Sequence, residues 1–228
     1  MTGAAKVLAQ LRAVGDATKS AEMAAYHKTA REFLGVPAAV LDEMARELRR
    51  EITLEARCDL AQEMWATDIH EACIFAAKLL TQARIRPDDA PVWQIIAGWA
   101  EGFDSWALAD HASIAGAKRL QADPSRLDTV ERWTTAENMW TRRAALVMTL
   151  PWARLTHPKA DDLALRERVL GWAETYVPDR APYMQKAIAG WLRELSKRDP
   201  ARVLAFLDGP GAALTKGARS EALQIIQP

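Results

Sequence analysis

The chain has 228 residues, of which 50% are hydrophobic and 26% charged, and its 30 basic residues equal its 30 acidic ones. This composition supplies one large core and excludes the disordered and collagen-like classes. A net charge of zero gives no support to nucleic-acid binding, so any affinity for DNA must come from a local basic surface.

Targeting and redox signals are weak along the chain. The first residues mix charges with apolar side chains, and no stretch approaches the ~20 apolar residues of a membrane span. Cys58 and Cys73 are the only cysteines, too few for a disulfide framework. We therefore expect a cytoplasmic protein with no membrane association.

The predicted elements are helices throughout, because the Val-Ile-Thr alternation typical of strands is nearly absent. Gly and Pro interrupt the chain at intervals of helical length, for example at Gly15, Gly35, Pro87 and Pro151. Asp123-Pro124 and Asp199-Pro200 have the residue types of a helix N-cap followed by a first-turn proline. These breaks predict about a dozen helices joined by short turns.

Four segments share one pattern, in which a large apolar residue is followed by an alanine-rich helix. They open on Ile69, Trp106, Trp140 and Tyr183. Stacked helix pairs repeat in this way, at roughly 35 to 47 residues, in HEAT-like arrays. The predicted fold is an all-α solenoid of HEAT-like repeats, a superhelix of antiparallel helix pairs, forming a single domain over residues 1–228.

The repeat register makes one carboxylate conspicuous. The fourth residue after each opening residue is Cys73, Asp110, Ala144 or Ala187. This position lies on the helix face of the opening residue, near the packing surface, where a lone carboxylate is costly without a task or a partner. A structural ion pair of Asp110 with Arg142 or Arg143 remains an alternative to a functional role.

Five blocks of sequence carry a resemblance to a known family. They read YHKTAREFLGVP, SWALADHAS, MWTRRAAL, QKAIAGWLRELSKRDP and LTKGARSEAL, in that order. In order and spacing the chain resembles the AlkD-like DNA alkylation repair proteins, which are HEAT-like repeat DNA glycosylases that release alkylated purines. The resemblance implies a concave DNA-binding face and excision without a deep pocket for a flipped base.

The resemblance also assigns roles to individual residues. It implies that Asp110 is the catalytic carboxylate and that Trp106 is one of two site tryptophans. Arg143 matches the family's arginine near the DNA backbone, and Tyr26 matches the tyrosine that opens its N-terminal block.

Three further cations lie in blocks that line the family's groove. These predicted DNA-binding residues are Lys186, Arg193 and Lys216. The implied partner is double-stranded DNA containing alkylated bases, bound by a monomer that needs no cofactor and no metal.

The match fails at one position. The family's second site tryptophan falls on Gly190, and Trp191 follows one residue later, about 100° round the helix. We predict that Trp191 is structural, because its register coincides with Ala77, Ile114 and Met148, which resemble core. A weakened or altered activity is therefore an open alternative.

The remaining aromatic, imidazole and basic residues receive structural interpretations. Six other tryptophans have the spacing of packing between repeats: Trp65, Trp93, Trp99, Trp133, Trp152 and Trp172. Four histidines form no metal pattern: His27, His70, His111 and His157. Three basic pairs are predicted to be solvated helix faces: Arg49-Arg50, Lys118-Arg119 and Lys197-Arg198.

Three functions are consistent with the sequence. The first is a DNA glycosylase for N3- or N7-alkylated purines. The second is a non-catalytic HEAT-repeat protein that binds damaged or branched DNA. The third is a protein-interaction scaffold, which would have no affinity for DNA at moderate salt.

Overall fold

The computed structural model describes residues 3–226, and most of these are helical. Their only β contact is an isolated parallel bridge between Glu32 and Ile69. The chain separates into two compact units, residues 1–122 and 123–228. The assignment of a single domain to residues 1–228 stays a prediction.

The first unit contains seven α-helices among its described residues. They are α1 Gly3–Val14, α2 Ala17–His27, α3 Ala38–Glu51, α4 Leu54–Trp65, α5 His70–Leu80, α6 Ala90–Gly98 and α7 Trp106–Ala122. Helix α5 is the centre of this unit, because it packs against α3, α4 and α7 and buries every residue except Lys78. Its alanine-rich sequence lets these neighbours approach closely.

The second unit also contains seven α-helices in its described part. They are α8 Leu127–Arg132, α9 Met139–Met148, α10 Leu150–Arg154, α11 Ala160–Tyr176, α12 Pro182–Ser196, α13 Pro200–Asp208 and α14 Lys216–Leu223. Helix α12 packs against α9, α10, α11, α13 and α14, and is the core element of this unit. Each unit is thus built around one central helix.

Local chemistry sets several helix starts. Asp199 caps α13 by accepting a hydrogen bond from the Arg202 N–H at 3.0 Å, and Pro200 occupies the first turn. Asp123 does the same for the short 3₁₀ helix that begins at Pro124. Both predicted caps are confirmed.

The repeat register is confirmed at three positions, whereas three other residues depart from their predictions. Cys73, Ala144 and Ala187 are buried, as expected for a packing stripe. Ile114 was predicted to be core, but its side chain is 51% exposed. Two arginines were predicted to be solvated. Arg119 is fully buried, where it pairs with Asp89 at 2.7 Å, and Arg49 is half-buried and donates to the Lys78 carbonyl. Within residues 3–226, no helix combines the length and apolarity needed to cross a bilayer.

Candidate functional site

Helix α7 begins at Trp106, so its first two turns carry the predicted catalytic residues. Ser105 precedes it, is buried, and accepts the Ala109 N–H through its carbonyl at 3.1 Å. Asp110 follows Trp106 by one turn on the same helix face. Both side chains are half-buried, so each keeps part of its surface available for contact.

Trp106 rests on a layer of aromatic and imidazole rings, which we call the aromatic cluster: Tyr26, His27, Phe33, His70 and Trp106. Its indole meets Tyr26 edge-to-face at 6.4 Å and His27 at 5.5 Å between ring centroids. His27 in turn packs on His70 at 4.5 Å and on Phe33 at 5.8 Å. Tyr26 is 64% exposed, so the cluster runs from the surface to the core and holds the indole in place.

Three imidazoles of this region have pKa values below their usual range. Burial lowers the pKa of His27, and burial together with the charge of His27 lowers the pKa of His70 to about 3. Burial also lowers the pKa of His111, whose Nδ1–H donates to the Ala107 carbonyl at 2.9 Å. In each case burial disfavours the charged form of the ring, because a buried charge loses its hydration.

A buried carboxylate shapes the loop beneath the cluster. Glu71 is fully buried and accepts the backbone N–H groups of Leu34, Gly35 and Val36 at 2.7 to 3.3 Å. Gly35 has φ +74°, and a Cβ there would collide with the Asp16 carbonyl. The LGV segment of the N-terminal block is therefore fixed by α5.

Arg31 ties the N-terminal block to the start of α7. Its side chain is almost buried, and it pairs with Asp104 at 2.6 Å and with Asp68 at 2.5 Å. It also donates to the Gly102 carbonyl at 3.2 Å. Since Asp104 lies two residues before Trp106, these bonds fix the loop from which α7 begins.

A cavity of about 490 Å³ opens beside the indole. On α7 it is lined by Trp106, Ala107 and His111, whereas Asp110 is not among its lining residues. Trp106 therefore lies between two faces of α7. One face carries Asp110, and the other lines the cavity.

In the second unit, two neighbouring arginines have different surroundings. Arg142 pairs with Asp179 at 3.1 Å and donates to the Ala136 and Glu137 carbonyls, so it closes a loop. Arg143 is half-buried and donates to the Tyr183 carbonyl at 2.8 Å. The Tyr183 ring packs on Trp140 at 4.8 Å between centroids, so Arg143 is held beside this aromatic pair.

The three predicted cations of the C-terminal blocks also differ in their surroundings. Lys186 and Lys216 are exposed, and Lys186 lines a cavity of about 360 Å³ together with Arg180. Arg193 pairs with Glu221 at 2.9 Å. Two of the three cations are therefore accessible, while the charge of the third is partly compensated.

No three His, Cys, Asp or Glu side chains within residues 3–226 are arranged to hold a metal ion. Both cysteines are buried, and burial raises the pKa of the Cys73 thiol to about 12.

Comparison with known protein families gives one match. The model of the family described as "DNA alkylation repair enzyme" matches residues 7–226. The chain belongs to this DNA alkylation repair family.

Solved structures share its fold. A predicted DNA alkylation repair enzyme from Enterococcus faecalis is 21% identical with a TM-score of 0.77, over 93% of this chain and 97% of that one. AlkD2 from Streptococcus mutans is 16% identical with a TM-score of 0.62, over 84% and 91% of the two chains.

A third structure represents a family described as related to the HEAT-like repeat DNA glycosylases, with affinity for branched DNA structures. It is 14% identical with a TM-score of 0.66, over 90% of this chain and 82% of that one. No protein with curated annotation matches the sequence significantly. The predicted fold, an all-α solenoid of HEAT-like repeats, is confirmed.

This member of the DNA alkylation repair family has an open position on α12. Gly190 is half-buried, and a Cβ built on it meets no atom within 4 Å in the described structure. Trp191 is buried and its indole N–H donates to the Thr149 hydroxyl at 3.2 Å. The prediction that Trp191 is structural is confirmed.

Sequence reasoning missed the aromatic cluster under Trp106. His27, Phe33 and His70 come from three different elements, so no helical period relates them. The only signal was local, since His27 directly follows Tyr26 in the first family block. That adjacency alone could not distinguish a packed ring from a surface imidazole.

Proposed function

We propose that this protein is a DNA glycosylase that releases N3- or N7-alkylated purines from duplex DNA. One observation carries the proposal: in a chain of the DNA alkylation repair family, Trp106 and Asp110 stand one turn apart at the start of α7. The aromatic cluster and Arg31 hold that start in place, which gives the pair the fixed geometry that electrostatic catalysis needs.

The chemistry fits a single carboxylate. Breaking the C1′–N bond leaves the electron pair on the purine and positive charge on the sugar, and water then adds at C1′ with loss of a proton. An alkylated purine is already a cation and leaves without a strong general acid. Asp110 would stabilise the oxocarbenium-like sugar, as carboxylates do in glycoside hydrolysis.

Trp106 and Arg143 would have binding roles. An indole face attracts a cationic base by about 1 kcal/mol at a partly exposed site. Arg143, held beside Trp140 and Tyr183, would contact a phosphate and set the register on the duplex.

Release of 7-methylguanine from a duplex oligonucleotide, measured by chromatography under single-turnover conditions, tests this function. Asp110→Asn should lower the rate by about 100-fold or more, because the amide cannot stabilise positive charge. Glu43→Gln, an exposed carboxylate on α3, is the control and should retain the wild-type rate. Wild-type release no faster than spontaneous loss, or unchanged release by Asp110→Asn, would refute the mechanism.

A second function is favoured by Gly190, which removes the second aromatic wall from the family's site. In this alternative the protein binds damaged or branched DNA without excising a base. It predicts salt-sensitive binding to a four-way junction that Arg143→Ala weakens, together with no base release. Binding and release measured on the same preparation separate the two functions.

A further inference from the structure

An apolar groove in the first unit lies away from the residues discussed so far. Its volume is about 850 Å³, and it is bounded by α1, α3 and α4. Six apolar side chains form much of its surface: Val7, Val14, Val40, Met44, Leu48 and Leu60. Val14 is 48% exposed, so the groove leaves apolar surface in water that a partner could cover.

The edges of the groove are acidic. Glu47 and Glu51 lie one turn apart on α3, and Asp59 and Glu63 lie one turn apart on α4. Like charges at this spacing destabilise a helix. All four are exposed, and none forms an ion pair with another described residue. Among the described residues that line the groove, Lys6 is the only cation.

The charged side chains of α3 are distributed unevenly about the groove. Its acidic pair and its apolar residues Val40, Met44 and Leu48 share the groove. Arg49, by contrast, donates to the Lys78 carbonyl on α5, so this cation is turned toward the core. On α3, therefore, acidic side chains line the groove and the arginines do not.

We propose that this groove binds an amphipathic helix of a partner protein, with its apolar face on the groove and Lys or Arg along its edges. Helices commonly dock in this way, through apolar residues spaced i, i+3, i+4 and i+7. Helix α1, the wall of the groove, has 12 residues and is about 18 Å long. It therefore accommodates about three turns of a partner.

The four carboxylates attract cations and repel acidic side chains. The partner helix should therefore carry basic residues on both sides of its apolar face. The same carboxylates repel phosphate, so DNA is not the occupant. Neither Trp106 nor Asp110 lines this groove, so the groove is a surface separate from the proposed catalytic pair. This inference does not depend on the proposed function.

The probe is a fluorescein-labelled synthetic helix of about 16 residues, with leucines at i, i+3, i+4 and i+7 and lysines elsewhere. A matched peptide carries glutamates in place of the lysines. Fluorescence anisotropy with the full chain should give at least about tenfold tighter binding of the basic peptide. Methyl NMR spectra should shift at Val7, Met44 and Leu48 on binding.

Two pairs of variants locate the contact. Glu47→Lys combined with Glu51→Lys should weaken binding of the basic peptide at least about tenfold. Glu43→Lys combined with Glu137→Lys makes the same change in net charge at exposed positions outside the groove, and should leave affinity within about twofold.

Val14→Asp separates groove binding from general charge attraction. It adds a negative charge, so binding that depends on charge alone would become tighter. Docking in the groove would become weaker, because the apolar wall is lost. Since Val14 is exposed, the fold should tolerate this change.

Three results would overturn the inference. The first is equal affinity for the basic and acidic peptides. The second is tighter binding by Val14→Asp, or methyl shifts confined to residues outside the groove. The third is a concentration-dependent dimer in light scattering that Glu47→Lys disrupts, because the occupant would then be a second copy of the chain.

Discussion

Gly190 leaves a space on α12, at the position where the resemblance to the AlkD-like proteins implies a second site tryptophan. Because a Cβ meets no atom within 4 Å, a larger side chain can be added without a collision. We expect Gly190→Trp to fold with a stability within about 1 kcal/mol of wild type. If it restores an aromatic wall worth about 1 kcal/mol, single-turnover release of 7-methylguanine should rise about fivefold.

The matched control for that variant is Gly171→Trp. Gly171 lies in α11, is exposed, and likewise has no atom within 4 Å of a built Cβ. Its release rate should equal that of wild type. Equal rates for the two tryptophan variants would mean that position 190 does not take part in lesion binding.

His70 couples the aromatic cluster to pH. Burial lowers its pKa from 6.5 to about 3, so between these values the unfolded chain binds a proton that the folded chain does not. The free energy of unfolding therefore falls as pH falls below about 6.5, by up to about 1.4 kcal/mol per pH unit for this group.

Urea denaturation between about pH 7 and pH 5 measures this slope. His70→Leu should reduce it, because the variant lacks the imidazole whose pKa burial lowers most clearly. A wild-type slope retained by His70→Leu would show that His70 is not the titrating group.

At the scale of elements, the start of α7 depends on Arg31. This almost buried side chain pairs with Asp104 and Asp68 and also donates to the Gly102 carbonyl. Arg31→Met keeps most of the stem but leaves these partners unpaired, so we expect a loss of about 3 kcal/mol in unfolding free energy. Base release should fall as well, since Trp106 follows Asp104 by two residues.

Arg12→Met is the control for Arg31. Arg12 pairs with Glu32 at 2.6 Å, but both side chains are about half exposed, so its removal should cost less than about 1 kcal/mol. Urea denaturation compares the two variants directly. Similar losses would contradict a special role for Arg31 in anchoring the loop before α7.

The helices and the packing stripe were predictable because both depend on local period. Helix breaks at Gly and Pro, the caps Asp123 and Asp199, and burial at Cys73 and Ala144 all follow from residues within one or two turns. The family blocks likewise placed Trp106 and Asp110 on one helix.

Contacts between elements distant in sequence could not be predicted. Arg119 resembles a solvated residue in its own helix, and only its pairing with Asp89, thirty residues away, explains its burial. Ile114 lies at a core position by period but is exposed. The rings under Trp106 are a third example, since three separate elements contribute them.

The whole molecule has no net charge, so any affinity for DNA must come from local, accessible cations. Each phosphate contact adds about −0.9 to the slope of log K against log salt on B-DNA. Exposed Lys186 and Lys216 should each contribute one such contact, whereas Arg193 is already paired with Glu221.

Anisotropy of a labelled duplex across a salt series measures that slope. Lys186→Ala and Lys216→Ala should each make it shallower by about 1. Arg193→Ala should change the slope less, because the charge of Arg193 is already partly neutralised by its ion pair with Glu221. Lys6→Ala, in the acidic groove, should leave the slope unchanged, since the carboxylates around it repel phosphate. A Lys6 effect as large as that of Lys186 would mean that DNA binds by diffuse attraction to any cation, and not at the cations of the C-terminal blocks.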